Sequence, residues 1–454
     1  MDNFNKLFGT LIFDGVQCQF ILDNYSLHID VADSALIEKL MSEKHPPLNC
    51  NSLYGEIATE PKHVFFSFEP NLYDTNLQFG ELVAARITIH INYYLVLNKV
   101  FSGNNLSVEF SNDSFLKWLG VYPKYVFDMD NLEDIKIALE KSTIDCKSDF
   151  EYQGNKYTAS PSYRFTNSIV EYRFSSFLEI TCHDRMTFDS IHQLCKLILS
   201  LVRFFFYRFY VDLGDIVIRQ NTIVQGGTHK IEVGRFFFKY ERKEIEPIKM
   251  THIFDYGFFK WMDIYKYLGN LVRLIENELI YLFYLPEKRF DRFKTDYPSV
   301  SSISAAFERE FSLLYPNFKS PKMEDDDYID LKTKLSQMDK TKKQKDLVNS
   351  FVKNNLEAPS LLERASFALN EFKDVLDSLK IEKKLNLKET AICFRDTRNR
   401  INHGDLSFAI NHDIANVFYY FRIVVLCIQL IRIGVPKEKL TAIIKPVLCI
   451  DYNR

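Results

Sequence analysis

The stretch Leu387-Lys388-Glu389-Thr390-Ala391-Ile392-Cys393-Phe394-Arg395-Asp396-Thr397-Arg398-Asn399-Arg400-Ile401-Asn402-His403-Gly404-Asp405 decides how the second half of the chain is read. Its apolar residues recur at helical spacings. Gly404 fits the position just past a helix end, so a helix is expected over Leu387–His403 with His403 in the last turn. At about 100° per residue with Leu387 at zero, Ala391 falls at about 40°, Phe394 at about 340° and Ile401 at about 320°. These residues define a buried stripe, and Arg398, at about 20°, lies in the middle of it. A guanidinium keeps its charge, and burying one unpaired is costly. Arg398 must therefore meet an acid, an array of carbonyls or a phosphate, in its own chain or across a subunit interface. Asn399 and His403 share a neighbouring face, one turn apart, at about 120° and 160°. Arg395 continues that ladder one turn earlier.

Around this stretch the C-terminal region, residues 250–454, reads as all-helical. Helical patterns cover Phe258–Leu285, Ser304–Leu314, Leu361–Leu379, Phe408–Ile433 and, after Pro436, Lys437–Ile444. Between them a charge-segregated stretch, from Glu324-Asp325-Asp326-Asp327 to the lysines at 340–345, reads as solvated helix and loop. The most apolar segment, Val417–Val435, is interrupted by Arg422, Gln429 and Arg432, which suits a buried helix better than a membrane span.

Residues 1–245 differ in pattern. Short runs of Phe, Val, Ile and Tyr alternate with polar residues, as in Gly9–Phe13, Gln17–Leu22, Ser26–Val31, His63–Phe68, Ala85–Lys99, Ser107–Phe110, Ile169–Thr181, Asp215–Val224 and Lys230–Tyr240. Thr187–Val211 is too long and too continuously apolar for a strand and is expected as a helix against the sheet. The fold class is α+β: an N-terminal β-rich sandwich or barrel-like domain with one inserted helix, then a C-terminal all-α bundle.

Composition narrows the function. The net charge of −3 gives no global basic field, so any contact with nucleic acid must rest on a local patch. Such a patch exists: from Lys380 to Arg400, seven basic residues against three acidic ones leave +4. Eight cysteines without a C-x2-C pair read as free thiols in a reducing cytoplasm, with neither a zinc site nor a disulfide framework. No metal or cofactor is expected, and no signal peptide is visible.

The Arg398–His403 cluster suits RNA cleavage. The 2′-hydroxyl must lose a proton as it attacks the adjacent phosphorus, and the 5′-oxygen must gain one as it leaves. Histidine titrates close enough to neutral pH for either task. An arginine beside it stabilises the extra charge on the transition state. His403 is the expected general base or acid, Arg398 the stabiliser, and Asn399 the group that orients His403 or the phosphate. Arg395 and Arg400 are expected to grip flanking phosphates. The loose spacing recurs at Arg185 and His192, without a polar residue after the arginine or a glycine after the histidine. Another reading stays open: an Arg–acid pair that closes a helix, with a histidine set against the helix dipole.

Arg398-Asn399-x-x-x-His403-Gly404, late in a helical region and followed by a long apolar helix, resembles the R-N-x3-H motif of the HEPN superfamily. Upstream, Phe8-Gly9-Thr10-Leu11, Leu53-Tyr54-Gly55 before His63–Phe68, and Leu106–Phe110 leading to Phe115-Leu116-Lys117-Trp118-Leu119 are similar to the N-terminal domain of ApeA-like HEPN proteins. The resemblance implies a metal-independent endoribonuclease that leaves a cyclic phosphate. It implies a composite site across a homodimer, and a role in anti-phage defence by abortive infection. The N-terminal domain would then sense a phage-derived trigger. A non-catalytic HEPN module that binds RNA or nucleotides, or only dimerises, is the alternative.

Overall fold

Backbone turns chosen by the sequence start the N-terminal unit. Strands β1 (Lys6–Phe13), β2 (Val16–Asp23) and β3 (Ser26–Val31) form antiparallel hairpins. Two-residue loops join them, Asp14-Gly15 and Asn24-Tyr25, with φ of 48° and 83°, and 46° and 66°. Positive φ at both loop positions matches the right-handed twist of the flanking strands, and Asp, Asn and Gly tolerate it best. Burial alternates along β1, with Leu7, Leu11 and Phe13 inside.

The computed structural model describes residues 6–42, 48, 50–58, 62–79, 83–99, 102–112, 115, 118–120, 123–127, 135–139, 145–167, 172–224, 227–240, 257–288, 291, 294–320, 326–337, 341–352, 358–379, 386–405 and 407–448. The chain divides into two units: residues 1–199 with 212–248, and residues 200–211 with 249–454.

In the first unit, helix α1 (Ser34–Ser42) and strands β4 (Ser52–Ile57), β5 (His63–Phe79) and β6 (Val83–Leu97) follow β3. Pairing of β6 with both β3 and β5 closes six strands, β6-β3-β2-β1-β4-β5, into a barrel. Phe20, Phe66, Ile29, Ile87 and Ile89 fill it. Gly9 has no substitute where β1 crosses β4: an added Cβ would stand 1.9 Å from the Glu56 carbonyl oxygen. Strands β7 (Leu106–Ser111), β8 (Pro123–Phe127), β9 (Ile135–Leu139), β10 (Ser148–Tyr152), β11 (Asn155–Asn167), β12 (Tyr172–Cys182), β13 (Asp215–Val224) and β14 (Gly227–Phe238) complete the strands among the described residues. The C-terminal half of β6 pairs with β14, extending the sheet in the order β14-β13-β7-β12-β11-β10. β8 and β9 pair separately. Of the sandwich and barrel options, the structure takes the barrel with an added sheet.

Helix α2 (Phe188–Phe205) starts at Thr187, which exchanges hydrogen bonds with Ser190. Its first turns bury Ile191, Leu194 and Ile198. His192 stacks near Tyr93, with ring centroids 4.6 Å apart, and burial pushes its pKa down to about 4. It is a half-buried histidine packed among aromatic rings.

The second unit holds α3 (Trp261–Ile264), α4 (Leu268–Glu276), α5 (Tyr297–Leu314), α6 (Asp326–Gln337), α7 (Lys342–Phe351), α8 (Leu361–Glu371), α9 (Lys373–Ser378), α10 (Leu387–Asn402), α11 (His412–Arg432) and α12 (Leu440–Leu448). Most of the expected helices differ in extent: Ser304–Leu314 starts earlier, at Tyr297, and Lys437–Ile444 opens as a 3-10 turn before Leu440–Leu448. The pattern over Phe258–Leu285 stops at Glu276, because Tyr281 leaves the helix to give its N–H to Glu310 and its carbonyl to Gln429. Leu361–Leu379 breaks at Phe372, and Phe408–Ile433 begins at His412 behind the Asn411 cap. Among the described residues α11 is the one helix long and apolar enough to cross a membrane, with mean hydropathy 1.9, yet 72% of its apolar window is buried. Its Arg422 donates to the carbonyls of Tyr284 and Lys294. The core joins α5, α10 and α11: Phe394 stacks on Phe421 at 3.6 Å, and Phe307 meets both rings edge-on.

Candidate active site

Helix α10 carries the cluster. Asn386 caps its start by accepting from the Glu389 N–H. Its buried face is Thr390, Ala391, Phe394 and Thr397. Thr390 returns its hydroxyl to the Asn386 carbonyl at 2.8 Å, which lets a polar residue face the core. The buried face is therefore centred about 50° away from Arg398. The expectation that Arg398 lies mid-stripe is corrected: it stands at the edge, with 27% of its side chain exposed.

There it meets an acid of its own chain. Arg398 Nε and Nη2 both reach Glu308 Oε1, at 3.0 and 2.8 Å. Glu308 lies on α5, which begins at a capping box formed by Asp296 and Ser299. Nη1 donates to Asn399 Oδ1 at 3.2 Å. With the Asn402 amide oxygen turned inward, it accepts from Nε at 3.2 Å and Nη1 at 3.1 Å. Glu308 takes one hydrogen on Nε and one on Nη2, and the Asn399 and Asn402 oxygens both face Nη1, so the second Nη2 hydrogen is left on the edge facing away from the backbone. A second guanidinium shares the acid: Arg364 Nη2, on α8, lies 3.7 Å from Glu308 Oε2.

The helix ends as its glycine dictates. Gly404 has φ +77°, its N–H bonds to the Ile401 carbonyl, and the Asp405 N–H bonds to Arg400. His403 is the capping residue and is exposed. Among the described residues its imidazole makes no hydrogen bond. Asn399 stands one turn before it, with its side chain turned to Arg398 rather than to the imidazole.

Arg395 and Arg400 are exposed further, and each has its own acid. Arg395 Nε meets Asp396 at 2.6 Å, and Arg400 Nε meets Asp405 at 2.7 Å while lying 4.0 Å over the Phe408 ring. Hydrogen bonds from Ser407, then Arg400, hold the Asp405 carboxyl down at about 2. His412 is an exposed first-turn residue bonded to Asn416. The lysines at 380, 383 and 384 lie outside the described residues. Among the described residues no three His, Cys, Asp or Glu side chains form a metal-binding group.

Sequence reasoning passed over Glu308 and Arg364. A signal for the first was present: the Phe307-Glu308-Arg309-Glu310-Phe311 stretch offers the acid that Arg398 requires. No family model matches the chain, and neither curated proteins nor solved structures provide a match.

Proposed function

We propose that the helical unit is a HEPN-type, metal-independent endoribonuclease, and that the whole chain is an ApeA-like anti-phage defence protein acting in the cytoplasm. The observation that carries this reading is the pairing of a braced arginine, with an Nη2 hydrogen left on its outer edge, and an exposed histidine five residues later on one helix end. His403 takes the proton of the 2′-hydroxyl or returns one to the 5′-oxygen. The 2′-oxygen bonds to phosphorus as the P–O5′ bond breaks, leaving a 2′,3′-cyclic phosphate and a 5′-hydroxyl. Arg398 offers its outer Nη2 N–H and its positive charge to the non-bridging oxygens, where charge accumulates. Asn399 steadies Arg398. One motif supplies one histidine, and the reaction needs both a base and an acid. A homodimer through this unit, with two motifs facing each other, supplies both. The barrel unit would hold the receptor for a phage-derived trigger.

The bond between Arg398 and Glu308 within one chain favours a second reading, a non-catalytic RNA-binding or dimerising module in which the arginine is a structural tie. Incubating the protein with RNA in EDTA separates the two. The first reading expects fragments with 5′-hydroxyl ends that disappear in His403→Ala. Intact RNA with wild-type protein, or unchanged cleavage by the variant, would favour the second.

A further inference from the structure

Among the described residues, four arginines stand around this helix end, and three acids answer them. Arg395 has Asp396 and Arg400 has Asp405, each at hydrogen-bonding distance. Glu308 alone is divided between two guanidiniums, Arg398 on Oε1 and Arg364 on Oε2. The surplus positive charge of the cluster therefore sits at that pair. It is not buried: Arg364 is 20% exposed and Arg398 27%. Arg364 is also placed where a structural cation is least favoured. It follows Glu363 in the first turns of α8, whose capping box is Ser360 and Glu363, near the positive end of the helix dipole. A cation there adds to the dipole's field, and an anion relieves both. The second contact is loose, 3.7 Å against 2.8 Å, so a phosphate oxygen displaces Glu308 from Arg364 more easily than from Arg398.

We infer that Arg364 and Arg398 form a two-guanidinium clamp for a phosphodiester, aligned by Glu308, so that bound RNA runs from α10 onto α8. This rests on the reading of the unit as RNA-directed. Arg364 binds the backbone without sequence preference. Glu308 is a positioning residue: it aligns Arg398 and competes with phosphate for Arg364.

The test uses the full chain and a mixed-sequence single-stranded RNA methylated at every 2′-oxygen, which cannot be cleaved. Its affinity is measured from low to high salt. Each phosphate contact contributes about 0.7 to the slope of log affinity against log salt for single strands. Arg364→Gln is expected to lower that slope by about 0.7 and weaken binding several-fold at low salt, while Arg364→Lys keeps the slope. Arg273→Gln, elsewhere on the same unit, should keep wild-type binding. Glu308→Gln gives a second signature that a packing role would not produce. Removing the competing carboxylate tightens binding of the methylated RNA, while cleavage of ordinary RNA slows at saturation because Arg398 loses its alignment. An unchanged slope in Arg364→Gln at wild-type melting temperature, or no tightening in Glu308→Gln, overturns the clamp. The outcomes separate from those for catalysis. A slope that depends on Arg364 without any cleavage keeps the clamp and removes the ribonuclease. Cleavage that depends on His403 with a wild-type slope in Arg364→Gln does the reverse, and an RNA that does not bind removes both.

Discussion

Two glutamates on one helix, Glu308 and Glu310, sit two residues apart and about 200° around α5 from each other. Both hold arginines. Glu310 is wholly buried. One of its oxygens takes the Tyr281 N–H at 2.7 Å and Gln429 Nε2 at 3.1 Å, and the other takes Arg432, itself 8% exposed. Gln429 in turn accepts from the Tyr284 hydroxyl at 2.8 Å. Every group in that network has a partner, and one acid faces one arginine. Glu308 is 26% exposed and faces two. The difference separates a tie from a site. A balanced buried pair can only hold the fold, while an unbalanced, half-open one can still take a ligand.

The largest expected effect falls on the tie. Glu310→Ala leaves Arg432 charged and buried without its partner, which costs about 3–5 kcal/mol. Denaturant unfolding of the helical unit measures it. A loss below about 1 kcal/mol would mean that the network is not structural and that the contrast fails. The neighbouring site should behave in the opposite way. Arg398→Lys keeps the charge but loses the planar fork, and the cleavage rate should fall roughly a hundredfold with the melting temperature near wild type. A large drop in melting temperature would make Arg398 a second tie.

Gly404→Ala is a smaller test of what holds His403. The residue has φ +77° and nothing within 4 Å of an added Cβ, so the cost is backbone strain alone, about 1 kcal/mol. A much larger loss would mean that the helix end is packed rather than open. A pH-dependent effect lies in the other unit. His192 has a folded pKa of about 4 against an ordinary 6.5. Burial is the main cause, with Lys196 adding to it and Asp189 opposing it, and Tyr93, Phe236 and Phe238 surround the ring. Below pH 6.5 the unfolded chain takes up a proton that the folded barrel refuses. Its stability should therefore decline as pH falls from about 6.5 to about 4 and level off below. His192→Gln should flatten that decline; an equal slope in the variant would refute the assignment.

The sequence carried much of this, unevenly. The strands were legible because β1 to β3 alternate strictly and their turns contain Asp14-Gly15 and Asn24-Tyr25. Closure of the barrel was not, since it depends on β5 and β6 pairing along their length and on β6 serving two neighbours. The end of α10 followed from Gly404, but its buried face did not. Thr390 and Thr397 look polar in a pattern and bury their hydroxyls against the helix's own turn. That Arg398 needs an acid was evident from one helix. Which acid, and that Arg364 shares it, required α5 and α8 to meet α10.

The central claim is that this helix end cuts RNA through His403. Wild type and His403→Ala, matched for melting temperature, are incubated with RNA in EDTA, and the new termini are mapped. General acid–base catalysis is worth roughly a hundred- to ten-thousandfold, so wild type should give 5′-hydroxyl and 2′,3′-cyclic phosphate ends and the variant almost none. Equal cleavage by the two proteins, or none by wild type, would contradict it.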